Sequence, residues 1–95
     1  MWFKVYTDSL DDYYGKPKTL MSSNYFTEIK PGYDSYYDRY FIKLIKEEKP
    51  LHLSKSFVMD YKDTLDRIYN YITKNIDKEV VVDIKELIDK YEGDN

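Results

Sequence analysis

The sequence predicts an α+β fold: a small antiparallel sheet, built from an N-terminal strand and a hairpin, covered by one long amphipathic helix, with a short C-terminal helix. Three observations carry this reading. Between Phe57 and Asn75 the apolar residues Val58, Tyr61, Leu65, Ile68 and Ile72 recur at helical spacing. Between Asp83 and Gly93, Ile84, Leu87, Ile88 and Tyr91 do the same over a shorter span. Before residue 56, short runs of β-forming residues are separated by turn signals.

The long helix has Lys62, Asp63, Asp66, Arg67 and Asn70 on its polar side. Ser54 or Ser56 is expected to cap it, with Asp60 in the first turn facing the positive helix end. Lys74 and Asn75 mark its end, and Ile76 can extend it by a turn. Burying its five apolar side chains contributes roughly 8–15 kcal/mol of gross transfer free energy before entropy is subtracted. In the last helix Asp83 and Glu86 have capping-box spacing, and Gly93 stands where a terminator belongs.

The first element, Met1–Thr7, alternates: Phe3 and Val5 share one face, and Trp2, Lys4 and Tyr6 the other. Residues 8–18 contain Asp11, Asp12, Gly15 and Pro17 and read as a loop or a short helical turn. Residues 19–23 carry no clear signal. Tyr25–Lys30 is a short strand, stopped by a turn at Pro31-Gly32. Residues 33–40, YDSYYDRY, are an exposed loop or the start of the next element. Residues 36–48 read either as a helix starting near Ser35 or as a strand, and the strand is preferred. Residues 47–50 form a turn, and Leu51-His52-Leu53 alternates again, giving a hairpin that runs into the long helix. Glu79–Val82 holds three consecutive valines and reads as a short buried strand.

Ninety-five residues give one domain, 1–95, with one core. The chain has no cysteine, which removes disulfides and thiolate chemistry and fits a reducing compartment. It has no apolar run of the ~20 residues a membrane span needs. A soluble cytoplasmic protein is expected, in the host cytoplasm if the chain is viral. The formal net charge is −3, which opposes nucleic acid as the main partner because phosphate neutralisation supplies most non-specific affinity. Residues 77–95 carry seven acids against three lysines, whereas residues 39–55 carry five basic residues against two glutamates. That asymmetry reads as ordinary surface solubility or, alternatively, as a dipolar surface with the acidic end facing away from the basic hairpin.

No pattern supports catalysis. His52 is the only histidine, without a nucleophile motif or a second metal-ligating histidine, and the three glycines belong to no phosphate loop. Asp60, Asp63 and Asp66 repeat every three residues, but the glycine that a calcium loop requires is missing. They read as a solvated face, with Asp63 pairing to Arg67 one turn on. No enzyme activity, cofactor or metal is expected.

Twelve tyrosines are the strongest signal. Tyrosine is rigid and amphipathic, so it serves contact surfaces at low entropic cost. The candidate partner-binding residues are Asp11, Asp12, Tyr13 and Tyr14 in one cluster and Tyr33, Asp34, Tyr36 and Asp38 in another. Tyr13, Tyr14, Tyr33 and Tyr36 are expected to be exposed, and Tyr37 and Tyr40 to sit in the core. Such a surface suits a protein partner carrying arginine or lysine, whose cations stack on rings and pair with carboxylates. Asp60, Asp63, Asp66, Asp83, Glu86 and Asp89 form a possible further acidic surface.

In size and composition the chain resembles the small, acidic, cysteine-free inhibitors that phages and other mobile elements encode against host nucleases and polymerases. The resemblance implies a protein that fills a basic, nucleic-acid-binding groove, its carboxylates imitating phosphates and its tyrosines standing in for bases. It rests on no motif and assigns no residues. Two alternatives stand beside it. One is a single-strand-binding domain that uses exposed tyrosines with Arg39, Lys43, Lys46 and Lys49. The other is a self-associating subunit joined through an open sheet edge or the last helix.

Overall fold

The alternation in the first half of the chain resolves into two small sheets. The computed structural model describes residues 1–5, 19–48 and 51–93, with the backbone alone at residues 19, 48 and 51–53. In chain order these hold strands β1 (Trp2–Val5) and β2 (Thr19–Ser22), a 3-10 turn (Ser23–Tyr25), and strands β3 (Glu28–Asp34), β4 (Arg39–Glu48) and β5 (Leu51–Met59). Helix α1 (Lys62–Asn75), strand β6 (Val81–Val82) and helix α2 (Ile84–Gly93) follow. The class is α+β, with one longer helix and a short C-terminal one.

The first sheet has the order β2-β1-β6, with β1 antiparallel to β2 and parallel to β6. The second has the order β3-β4-β5 and is antiparallel throughout. The N-terminal strand therefore pairs outside the hairpin sheet, because the three-valine segment and residues 19–22 flank it on both sides. Phe3 and Val5 point inward, as the alternation requires. The Phe3 ring meets Phe26 edge-on at 6.1 Å, which connects the first sheet to the approach to the second. Both sheets and both helices contribute to one buried cluster that includes Phe3, Ile42, Leu44, Met59, Ile68 and Ile84.

The start of the long helix needs correction. Residues 54–59 belong to β5, and Val58 and Tyr61 are about half exposed, so neither lies on the buried stripe. Leu51–Met59 also alternates, and the open edge of β4 offers it a full ladder as far as the Met59–Tyr40 pair. Extended pairing wins until the chain bends at Asp60. Ser54 and Ser56 are thus strand residues, not caps. The N-cap is Tyr61, which makes no side-chain capping bond. Asp63 in the first turn and Lys74 in the last still complement the helix dipole. The buried face of α1 is Thr64, Leu65, Ile68 and Ile72.

Pro31-Gly32 is the other local revision. Both residues lie inside β3, with Pro31 opposite Ile42 and Gly32 opposite Phe41. β3 is an edge strand, where a residue without an N–H is tolerated. Its start is later than expected, because residues 23–25 form a 3-10 turn. The choice at residues 36–48 falls to the strand, with β4 running from Arg39 to Glu48. In α2, Oδ1 of Asp83 accepts the N–H of Glu86 at 3.1 Å, the expected capping bond, and the helix ends at Gly93. Arg67 stacks over the Tyr91 ring at 4.3 Å and ties α1 to α2; it is not paired with Asp63. No helix among the described residues is long and apolar enough to cross a membrane.

Candidate functional site

The tip of the β3–β4 hairpin gathers the second tyrosine–aspartate cluster. Asp34 ends β3, and its Oδ1 accepts the N–H of Tyr36 at 2.9 Å and of Tyr37 at 3.4 Å. That local bond folds the chain back within a few residues. Asp38 closes the turn with φ 52°, in the left-handed region that aspartate tolerates better than most residues. Its Oδ1 accepts the Tyr33 hydroxyl at 2.5 Å. The same bond, reinforced by the charge of Asp38, raises the pKa of the Tyr33 phenol.

These bonds present rings outward. Tyr33 is 50 % exposed, Tyr36 84 % and Tyr37 69 %. The Tyr36 and Tyr37 rings meet edge-to-face with centroids 4.7 Å apart, and the Tyr33 ring lies 5.0 Å from that of Tyr40, its cross-strand partner. Tyr37 was expected in the core. The turn places it beyond the end of both strands, where no core residue can reach it. Tyr40 is half-buried and packs against the core. Oδ2 of Asp34 and of Asp38 has no hydrogen-bond partner among the described residues.

Arg39, within the same run of sequence, and Asp60, expected on a separate acidic surface, complete the site. Arg39 Nε lies 3.6 Å from Asp60 Oδ1, and the Asp60 N–H donates to both carboxylate oxygens of Glu92, at 3.0 and 3.1 Å. The end of α2 therefore lies against the hairpin. The expectation of an acidic C-terminal end facing away from the basic hairpin does not hold for Glu92.

The other acidic candidates are dispersed. Asp60 precedes α1 and so breaks the three-residue repeat. Asp66 pairs with Lys62 at 3.1 Å. Asp83 is occupied in capping α2, whereas Asp63, Glu86 and Asp89 are exposed. Among the described residues no group of acids or histidine is placed to hold a metal ion. Asp11, Asp12, Tyr13 and Tyr14, and the side chain of His52, lie outside the described residues.

Beside the tip, the outer face of the second sheet forms an open groove of 540 Å³ lined by Tyr37, Arg39, Phe41, Lys43, Ser56 and Val58, among others. The sequence signal for it was the register itself, which puts residues 39, 41 and 43 of β4 on the side away from Ile42 and Leu44. Comparison with family models, with curated proteins and with solved structures finds no match.

Proposed function

We propose that this chain is a protein-interaction module that docks through the β3–β4 hairpin tip, acting by binding and not by catalysis. The observation that supports this most strongly is the exposure of Tyr33, Tyr36 and Tyr37 on a turn already fixed by Asp34 and Asp38. Exposed rings on a flexible loop lose ordering entropy when they bind; a turn held by its own hydrogen bonds loses less. Tyrosine beside free carboxylate oxygen suits arginine on a partner, since the ring takes the guanidinium face and the carboxylate takes its N–H edge.

The partner is a protein with a cationic groove of the kind that binds nucleic acid, and the module blocks that groove as an inhibitor, like those of phages and mobile elements. The acidic balance of the chain and the two tip carboxylates favour this choice. The scattered placement of Asp60, Asp66 and Asp83 narrows the imitation of phosphates to the tip. The test is capture from a lysate of the source organism by the immobilised wild type and by a Tyr36→Ser/Tyr37→Ser variant. Wild-type capture of a nucleic-acid-binding protein that weakens with salt and is lost in the variant supports the reading. Equal capture by both proteins overturns it.

A further inference from the structure

We propose that the outer face of the β3–β4–β5 sheet is a second contact surface, and that its occupant is an extended acidic segment of a partner protein. A carboxylate of that segment sits over Lys30 and Lys43, and an apolar side chain two residues along sits over Phe41 and Val58. The proposal rests on the protein-binding reading above but uses residues away from the hairpin tip.

The register sets up the chemistry. Lys30 stands directly opposite Lys43, with Ser56 next in the row on β5. Like charges directly opposite destabilise a strand pair. Among the described residues neither lysine has a carboxylate partner; Lys43 instead holds its ammonium 4.7 Å from the centre of the Phe41 ring. Two lysines opposite each other in the register of this face offer positive charge that an anion can neutralise.

The next row along the strands is Gly32, Phe41 and Val58. Phe41 lies across Gly32 so closely that a β-carbon there would fall 2.3 Å from Cζ of the ring. The glycine thus lets the ring lie down and keeps the groove open. Val58 is 51 % exposed and Phe41 is partly exposed, so this apolar row is open to solvent at its β5 end. Same-face rows are two residues apart, about 7 Å along the strand. An extended segment carries its own same-face side chains at that spacing, so an acid and an apolar residue at i and i+2 meet the two rows in turn.

Charge and geometry select this occupant over others. A second copy docking face to face brings a cationic row against a cationic row. Arg39 lies 3.6 Å from Asp60, whereas Lys30 and Lys43 have no carboxylate partner among the described residues.

The experiment is an NMR titration of the ¹⁵N-labelled full chain with three probes. These are a peptide alternating glutamate and valine with serine between them, the same peptide with lysine for glutamate, and oligo(dT). The acidic peptide is expected to shift the amides of Lys30, Gly32, Phe41, Lys43, Ser56 and Val58. A Lys30→Glu/Lys43→Glu variant with native spectral dispersion is expected to bind it about tenfold more weakly. A Tyr36→Ser variant, whose ring does not line the groove, is expected to bind it unchanged, so failure here is distinct from failure at the tip. Shifts elsewhere, no shifts, equal binding of the lysine peptide, or unchanged affinity in the charge-reversed variant overturns the proposal. Tighter binding of oligo(dT) at the same residues also overturns it and makes the face a single-strand platform.

Discussion

The Tyr33 hydroxyl donates to Oδ1 of Asp38 at 2.5 Å, and Asp38 holds its backbone in the left-handed region at φ 52° to receive it. One residue therefore serves the turn twice, through its main chain and through its carboxylate. The rings of Tyr36 and Tyr37 are displayed from the turn that this pair closes.

Because the hydrogen bond to Asp38 raises the Tyr33 pKa, its contribution to folding has a definite sign. The protonated phenol is the form that donates. The contribution is complete below the unfolded tyrosine value of about 10 and is lost as pH rises through the higher folded value. Tyr33 is expected to titrate later in the wild type than in Asp38→Asn, as read by its ring NMR signals. Alkaline unfolding is expected to lose its Tyr33 component in Tyr33→Phe.

Asp38→Ala is expected to be about 1 kcal/mol less stable than Asp38→Gly because of the left-handed backbone, read by urea unfolding. Asp38→Gly relieves that strain but still loses the bond to Tyr33. A glycine variant less stable than the alanine variant contradicts the assignment of strain to this position.

Gly32→Ala is expected to push the Phe41 ring off its neighbour, at roughly 1–3 kcal/mol for overpacking. The Lys43 ammonium moves with the ring, so the amide and side-chain signals of both residues shift together. An alanine variant with wild-type stability and an unmoved Phe41 ring contradicts the close approach.

Asp83→Ala removes the bond to the Glu86 N–H and is expected to cost about 0.5–2 kcal/mol. The loss is read by thermal unfolding and by faster hydrogen exchange in the first turn of α2.

The two helices, the hairpin and a strand in the valine run were legible because periodicity and turn residues agree there, although β4 continues through Glu47 and Glu48 where a turn was expected, and Val81 is half exposed where a buried strand was expected. Ile84, Leu87, Ile88 and Tyr91 have a single periodic reading, and Asp83 caps them as expected. Residues 54–59 were misread because Val58 fits a helical stripe and a strand alternation equally well. Only the long-range ladder to β4 decides between them, and a local pattern contains no information about it. Pro31 was read as a turn because its rule applies to interior strands, and edge status is a property of the assembled sheet. The site was legible in part: residues 33–38 read as an exposed tyrosine–aspartate cluster, but the turn bonded by Asp34 was not read from its spacing and Tyr37 was placed in the core. Asp60 and Glu92 escaped because Asp60 reaches Arg39, and Glu92 reaches Asp60, from distant parts of the chain.

The hairpin tip as a docking point is tested most directly by site-specific photo-crosslinking. A photoreactive phenylalanine analogue replaces Tyr36 in one protein and Asp89, exposed on α2, in another, and each is irradiated in lysate of the source organism. A discrete adduct from position 36 that is absent from position 89 is the expected result. Adducts from position 89 alone, or the same adducts from both positions, contradict docking through the tip.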